Sequence, residues 1–384
     1  MHQVGAADVE LEVSTFSKWA LQQIPGAKII DESDRKNRIL SLGRNLPLDT
    51  QFLLDEVEYV MGRFLTEDLG TYLSARREGR GTMPRVERVL RERILNEVII
   101  PYQDSLDRDG LWDWNDLALH FVRNSIDDKY DIIICDEAQD LSANQIRSIY
   151  NQLNDESSIT FVLDTAQRIY ARGYTWVEAG ISVRPEQVHR LSRNYRNTKQ
   201  IAALAASLME GIPTDDDATL PDFSSSTRVG AVPLLLLGPF RKQAGYVIQH
   251  IRENVDLAEE SVAFLHPLGG GWFDGLREYL RVAGFDFVEM TRREKWPAGE
   301  INIGLCTLHS SKGLEFDHVF ILGLNAEVTP HGEEEDDDKL QTLRRLLAMG
   351  IGRARKSIIL GCKPNEASKL IEYLGANTIR AVAL

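Results

Sequence analysis

A continuous apolar run that ends abruptly in acids constrains this 384-residue chain more than any other feature. Tyr130-Asp131-Ile132-Ile133-Ile134-Cys135 is followed at once by Asp136-Glu137-Ala138-Gln139-Asp140. An uninterrupted run of this kind suits a strand buried on both faces of a parallel sheet. Open α/β sheets bind ligands at the C-terminal ends of their strands, where these acids fall. Ile159 to Leu163 repeats the pattern and ends at Asp164. An aspartate so placed can hold Mg²⁺ through water, and the adjacent glutamate can polarise a water that attacks a phosphate. The competing explanation is an acidic helix N-terminus favoured by the helix dipole.

The chain is long enough for two domains, each with its own buried core. Val9 to Gln23 alternates as a short strand and then turns helical, with Ser14-Thr15-Phe16 as the turn. From Asp31 to Asp109 the chain is charged and helix-rich and reads as an insertion; Arg76-Arg77-Glu78-Gly79-Arg80-Gly81 is its most basic patch. After a helix near Thr198 to Met209, Gly211 to Gly230 is rich in Asp, Ser, Thr and Pro, the composition of a linker. Beyond it, strand patterns at Val232 to Leu237, Val262 to Leu265, Ile301 to Cys306, Val319 to Leu322 and Ile358 to Leu360 alternate with helical ones at Gln243 to Asn254 and Gly275 to Ala283. That alternation specifies a second α/β domain. The acid run Glu333 to Asp338 reads as a solvated loop.

Composition narrows the function classes. No apolar run approaches the roughly 18 to 20 residues of a membrane span, and Met1-His2-Gln3-Val4-Gly5 has no signal-peptide pattern, so a cytoplasmic protein is expected. Cys135, Cys306 and Cys362 are isolated in apolar stretches and suggest neither disulfides nor zinc. The net charge of -14 argues against a protein that coats nucleic acid nonspecifically, but leaves room for a local basic groove.

Five boxes in order then resemble the UvrD/Rep-type superfamily 1 DNA helicases. Cys135 to Asp140 resembles their DExQD Walker B box, and Leu163-Asp164-Thr165-Ala166-Gln167-Arg168-Ile169-Tyr170 resembles motif III. Leu191-Ser192-Arg193-Asn194-Tyr195-Arg196-Asn197-Thr198 looks like motif IV, and Thr307-Leu308-His309-Ser310-Ser311-Lys312-Gly313-Leu314-Glu315-Phe316-Asp317 like motif V. Arg344-Arg345-Leu346-Leu347 through Gly352-Arg353-Ala354-Arg355 is similar to motif VI. Val13-Ser14-Thr15-Phe16-Ser17 resembles the TFHS-like DNA-contact segment, and Trp112 to Leu117 the segment just upstream of Walker B.

The resemblance implies two RecA-like parallel-sheet domains: a first over 1–210 with the helical insertion at about 31–110, a linker at 211–230, and a second over 231–384. It implies an ATP- and Mg²⁺-dependent, 3′ to 5′ translocase or helicase on single-stranded or partly duplex DNA. Asp136 would bind Mg²⁺, Glu137 would be the catalytic base, and Gln167 would sense the γ-phosphate. Tyr195 would stack on adenine, Glu315 would meet the ribose or bound nucleotide, and Arg196 with Arg353 would stabilise the transferred phosphoryl group across the cleft between domains. Thr15, Thr307 and His309 would touch backbone phosphates. An aromatic among Tyr170, Tyr174 and Trp176 would stack on a base, although Trp176 suits a core equally well.

One part of the pattern is missing. A Walker A loop needs Gly-x-x-x-x-Gly-Lys-Ser/Thr, whose glycines let backbone N–H groups reach the phosphates. Gly26-Ala27-Lys28 runs into Ile29, and Gly350 to Ser357 has Arg355 where the second glycine should be. In family order that loop would precede Met1, so the first domain is expected to be incomplete, with sheet edges and apolar faces uncovered. ATP turnover would then require a missing segment or a protein partner that supplies the loop. The alternative is an ATPase-deficient DNA-binding or partner-binding module. Motif VI carries Ala348 and Gly352 where the family has Tyr and Thr, and the spacing from Arg196 to Thr307 leaves little room for a UvrD-type inserted subdomain.

Overall fold

The computed structural model describes residues 9–75, 86–163, 174–189, 194–212, 226, 228–290, 301–332 and 337–384. They form two compact units: the first runs to Leu163 and takes in 174–188, and the second holds the described residues from His189 onward.

The first unit is mostly helical. Helix α1 (Phe16–Gln23) starts at Thr15, whose hydroxyl accepts from Lys18 N. Helices α2 (Glu32–Leu42) and α3 (Thr50–Arg63) are capped by Asp31 and Asp49, whose carboxylates accept first-turn amides. Helix α4 (Arg88–Arg93) runs through a π turn at Ile94–Ile99 into α5 (Ile100–Asp109), which stops at Gly110 with φ 63°. The apolar faces of these helices bury Ile39, Val57, Val60, Ile94, Ile99 and Leu106 together, so the expected insertion has a core of its own.

That helical part is bolted to the sheet through buried polar groups. Asp113, 1% exposed, accepts from Arg35 Nε at 2.8 Å and from Tyr102 Oη at 2.6 Å. It also opens α6 (Trp114–Arg123) in a capping box with Asp116. Strand β1 (Tyr130–Cys135) follows, then α7 (Ala143–Tyr150) and β2 (Leu153–Phe161). Asn144 on α7 donates to Met61 O and Phe64 O at the end of α3. The two strands are parallel, with Ile132 opposite Ser158 and Ile134 opposite Thr160.

This sheet corrects the expectation of a strand buried on both faces. Ile132 is 67% and Ile134 70% exposed, and Val162 just beyond β2 is 41% exposed. Among the described residues no layer covers that face. Residues 9–13 form no strand there, and Val9, Leu11 and Val13 are exposed.

The second unit is a seven-stranded sheet in the order β5-β6-β4-β7-β8-β3-β9, parallel throughout. Its strands are β3 (Leu234–Leu237), β4 (Val262–His266), β5 (Val288–Glu289), β6 (Ile303–Thr307), β7 (Phe316–Ile321), β8 (Ala354–Cys362) and β9 (Arg380–Ala383). The strand patterns read from sequence correspond to β3, β4, β6, β7 and β8; β5 and β9 lie at the two edges and carried no such pattern. Helices α8 (Lys199–Met209) and α11 (Asp338–Ile351) share one core with the sheet, and α9 (Phe240–Asn254) and α10 (Phe273–Val282) share another.

Helix α8 therefore packs in the second unit rather than in a first domain ending at residue 210. Ile201, Leu204 and Leu208 join the core that holds Leu346 and Leu347, and Arg344 donates to Leu208 O at 2.9 Å. Composition located a loop near 211–230, whereas the change of packing partner falls near residue 189. The segment 213–225 and the acids 333–336 lie outside the described residues.

The open sheet face gives one test. Ile134→Thr should change stability by less than about 0.5 kcal/mol, whereas Ile146→Ala, at a fully buried position on α7, should cost about 2–5 kcal/mol in urea unfolding. A second test comes from Asp116, whose carboxyl is pushed up to about 6, chiefly by burial and also by the Asp113 carboxylate, against a hydrogen bond from Asp113 N. Its protonation favours the fold below the ordinary value of 3.8, and that stability is lost as pH rises through about 6. The stability difference between wild type and Asp116→Asn should therefore shift by on the order of 1–2 kcal/mol in favour of wild type on going from pH 7 to pH 5.

Candidate functional site

In the first unit, β1 delivers the acids to its C-terminal end. Cys135 O accepts from Val162 N at 2.8 Å and Ala138 N donates to Val162 O at 3.0 Å, so the pairing with β2 continues on both sides of Asp136 and Glu137. Asp136 is exposed, and its Oδ1 accepts from Glu137 N at 2.9 Å. Glu137 has φ 51°, the one left-handed non-glycine residue among the described residues. A bulky residue holds that conformation only when its surroundings impose it, and such positions cluster at functional sites. Gln139, 7% exposed, donates its amide to Glu137 Oε2. Gln139 belongs to the box quoted above but had no role assigned; its place two residues after the glutamate, under a carboxylate that needs fixing, was the available signal.

The nucleic-acid candidates of this unit are placed differently. Thr15 is exposed at the head of α1, where its side chain caps the helix. Trp176 is half-buried against Phe161, ring centroids 4.9 Å apart, in a small core with Ile146 and Ile181. Tyr174 is buried and donates to Leu141 O at 2.7 Å. Gln167 and Tyr170 lie outside the described residues.

The second unit separates its candidates to opposite edges of the sheet. Glu315 and Arg353 immediately precede β7 and β8, at the N-terminal ends of these strands, and Phe316 N donates to Arg353 O at 3.0 Å. Arg353 is 2% exposed, and its guanidinium donates to Leu314 O at 3.5 Å. Arg196 lies in the loop before α8 and its Nε is 2.6 Å from Glu315 Oε1, so two expected nucleotide ligands are ion-paired with each other. The neighbouring Tyr195 is 68% exposed, as a stacking ring must be. Asn194 organises this loop by accepting from Arg196 N and Asn197 N, both at 3.1 Å. At the C-terminal edge, Thr307 ends β6 and its hydroxyl accepts from Ser310 N at 3.0 Å, while His309 is exposed in the turn that follows. A glycine-rich loop, Gly269-Gly270-Gly271, follows β4 on the same edge, and a Cβ on Gly269 would fall 2.9 Å from Thr307 Cγ2.

Two family models cover most of this framework. Residues 26–181 match the UvrD/REP helicase N-terminal domain, and residues 286–363 match the UvrD-like helicase C-terminal domain. The chain belongs to the UvrD/Rep-type superfamily 1 helicases.

Among relatives, a probable DNA helicase of Mycoplasma pneumoniae is 24% identical over 276 residues, covering 67% of this chain and 50% of that protein. The ATP-dependent DNA helicase Rep of Salmonella typhimurium is 36% identical over 77 residues, 20% of this chain and 11% of that protein. The matches thus span half or less of these relatives' own length. A crystal structure of the C-terminal domain of a possible DNA helicase from Lactobacillus plantarum aligns at 18% identity with a TM-score of 0.37, over 49% of this chain and 98% of that one. No helix among the described residues of this UvrD/Rep-type chain is long and apolar enough to cross a membrane.

The Arg196–Glu315 pair is 38% and 41% exposed, which limits its worth to the fold. Glu315→Gln should therefore shift stability by less than about 1 kcal/mol in a thermal melt, and a larger loss would mean that the pair holds the loop together.

Proposed function

We propose that these residues form the motor core of an ATP-dependent, 3′ to 5′ DNA translocase or helicase of the UvrD type, working with a phosphate-binding loop supplied by a segment or polypeptide outside the sequence analysed above. The observation that carries this reading is the Asp136–Glu137 pair at the end of β1, with Glu137 held in a left-handed conformation and its carboxylate bonded to Gln139. Neither acid is ion-paired among the described residues, so both carboxylates are available to a cation and a water.

In this reading Asp136 holds Mg²⁺ that arrives with ATP, Glu137 orients the attacking water, and Gln167 reads the γ-phosphate. Tyr195 stacks on the base and Glu315 meets the nucleotide. Arg196 and Arg353 stabilise negative charge on the transferred group, a task suited to the planar guanidinium fork. The ion pair with Glu315 keeps Arg196 oriented until a phosphate competes for it. DNA contacts fall to Thr15, Thr307 and His309; of the stacking candidates, Tyr170 is favoured, because Trp176 is committed to Phe161.

A second reading is an ATPase-deficient DNA-binding or partner-binding module. It is favoured by the lack of any Gly-x-x-x-x-Gly-Lys-Ser/Thr string in the 384 residues and by the open face of Ile132 and Ile134. The motor reading, and the second reading in its DNA-binding form, require phosphate contacts, so affinity for single-stranded DNA should fall linearly in log–log terms with salt, by about 0.7 per phosphate contacted. Under the motor reading, Mg-ATP changes that affinity once the phosphate-binding loop is supplied, and Glu137→Gln leaves DNA binding itself within about twofold. Salt-independent or absent binding contradicts the motor reading and leaves only a partner-binding module, and binding that stays indifferent to ATP with the phosphate-binding loop supplied favours the second reading.

A further inference from the structure

Asn197 sits between the two arginine-bearing loops of the second unit and has no task in the phosphoryl-transfer reading. It is 6% exposed, and its Nδ2 lies 2.9 Å from Gly352 O and 2.6 Å from Ala354 O. Carbonyl oxygens only accept, so the atom facing both must be the amide nitrogen, and the two bonds use both of its hydrogens. The acceptors are the residues on either side of Arg353.

The rest of Asn197 is tied down as well. Its Oδ1 accepts from Asn194 Nδ2 at 3.1 Å, its N donates to Asn194 Oδ1 at 3.1 Å, and its O accepts from Ser226 Oγ at 2.6 Å. Arg196 N uses the same Asn194 oxygen, and Arg196 O accepts from the Arg228 guanidinium at 3.4 Å. The backbone of Arg196 and that of Arg353 are therefore joined through one side chain.

Resting on the reading of both arginines as γ-phosphate ligands, we propose that Asn197 is the positioning residue that sets Arg196 relative to Arg353, by spanning the two carbonyls that flank Arg353 with its single amide. Arg196 is ion-paired with Glu315, but that pair is partly exposed and does not by itself fix the backbone of one loop against the other. A neutral bridge fixes their spacing without cancelling either charge. Aspartate could not serve, because it would aim acceptors at two carbonyl oxygens, and serine can offer one donor at most. Positioning matters here because a phosphoryl group is stabilised by cations held in place before it arrives.

The test uses the 384-residue chain with Asn197→Ala and Asn197→Ser, read by amide hydrogen exchange and, with the phosphate-binding loop supplied, by affinity for Mg-ATP and Mg-ADP. Asn197→Ala should raise exchange in 194–198 and 350–356 while the other strands of the second unit keep their protection. It should weaken ATP by roughly tenfold, equal to about 1.4 kcal/mol, and leave ADP within about twofold. Asn197→Ser, which keeps one donor, should show a smaller loss in both readouts and serves if the alanine variant fails to fold. Unchanged exchange at 350–356, or equal weakening of ATP and ADP, overturns the proposal. A wild-type chain that does not distinguish ATP from ADP with the phosphate-binding loop supplied sinks the γ-phosphate reading instead, and the exchange arm still decides whether Asn197 joins the loops.

Discussion

Because every strand pair in both units is parallel, each strand must return through a helix or loop, and side chains of opposite function can be carried to opposite sheet edges. The first unit uses this to place Asp136 and Glu137 at the end of β1. The second places Glu315 and Arg353 before β7 and β8, and Thr307 and His309 after β6. Inverting one strand would carry these residues to the wrong edge while leaving much of the apolar packing intact. Parallel pairing therefore sets the sites as well as the fold.

Buried arginines are handled in two ways, with backbone acceptors and with carboxylates, as Arg63 is with Glu178. Arg344 spends its donors on Leu208 O and Glu210 O at the end of α8, near the negative end of that helix dipole, and stacks over Tyr373. Arg353 is anchored through the carbonyls around it, with Leu314 O as one acceptor and Asn197 fixing the peptide on both sides. Arg35, by contrast, is matched to Asp113 and Glu58, and its role is to join α2 and α5 to the start of α6.

The sequence made the chemistry more legible than the packing. The acids after Ile134, the arginines of motifs IV and VI and five strands of the second sheet could all be located in advance, because local pattern and motif spacing carry that information. The exposed face of β1 was not legible in the apolar run itself, which shows that a strand can be buried on both sides, not that a layer covers both; only the missing Walker A string pointed to an uncovered face. The placement of α8 depended on which apolar face it meets, a long-range property that the composition of 211–230 does not report. Trp176 read equally as stacking ring or core residue, and the structure places it half-buried against Phe161. The left-handed conformation of Glu137 has no local signal at all, because a glutamate gives no hint of positive φ.

The central claim is that the catalytic base of a phosphoryl-transfer motor is already in place at Glu137 and lacks only its phosphate cradle. The direct measurement is ATP hydrolysis stimulated by single-stranded DNA, made on these residues joined to a strand, a Gly-x-x-x-x-Gly-Lys-Thr loop and a helix, comparing wild type with Glu137→Gln. The account predicts DNA-stimulated turnover that falls by about 100-fold or more in the variant. Turnover that survives Glu137→Gln, or a complete lack of turnover with the loop present, would contradict it.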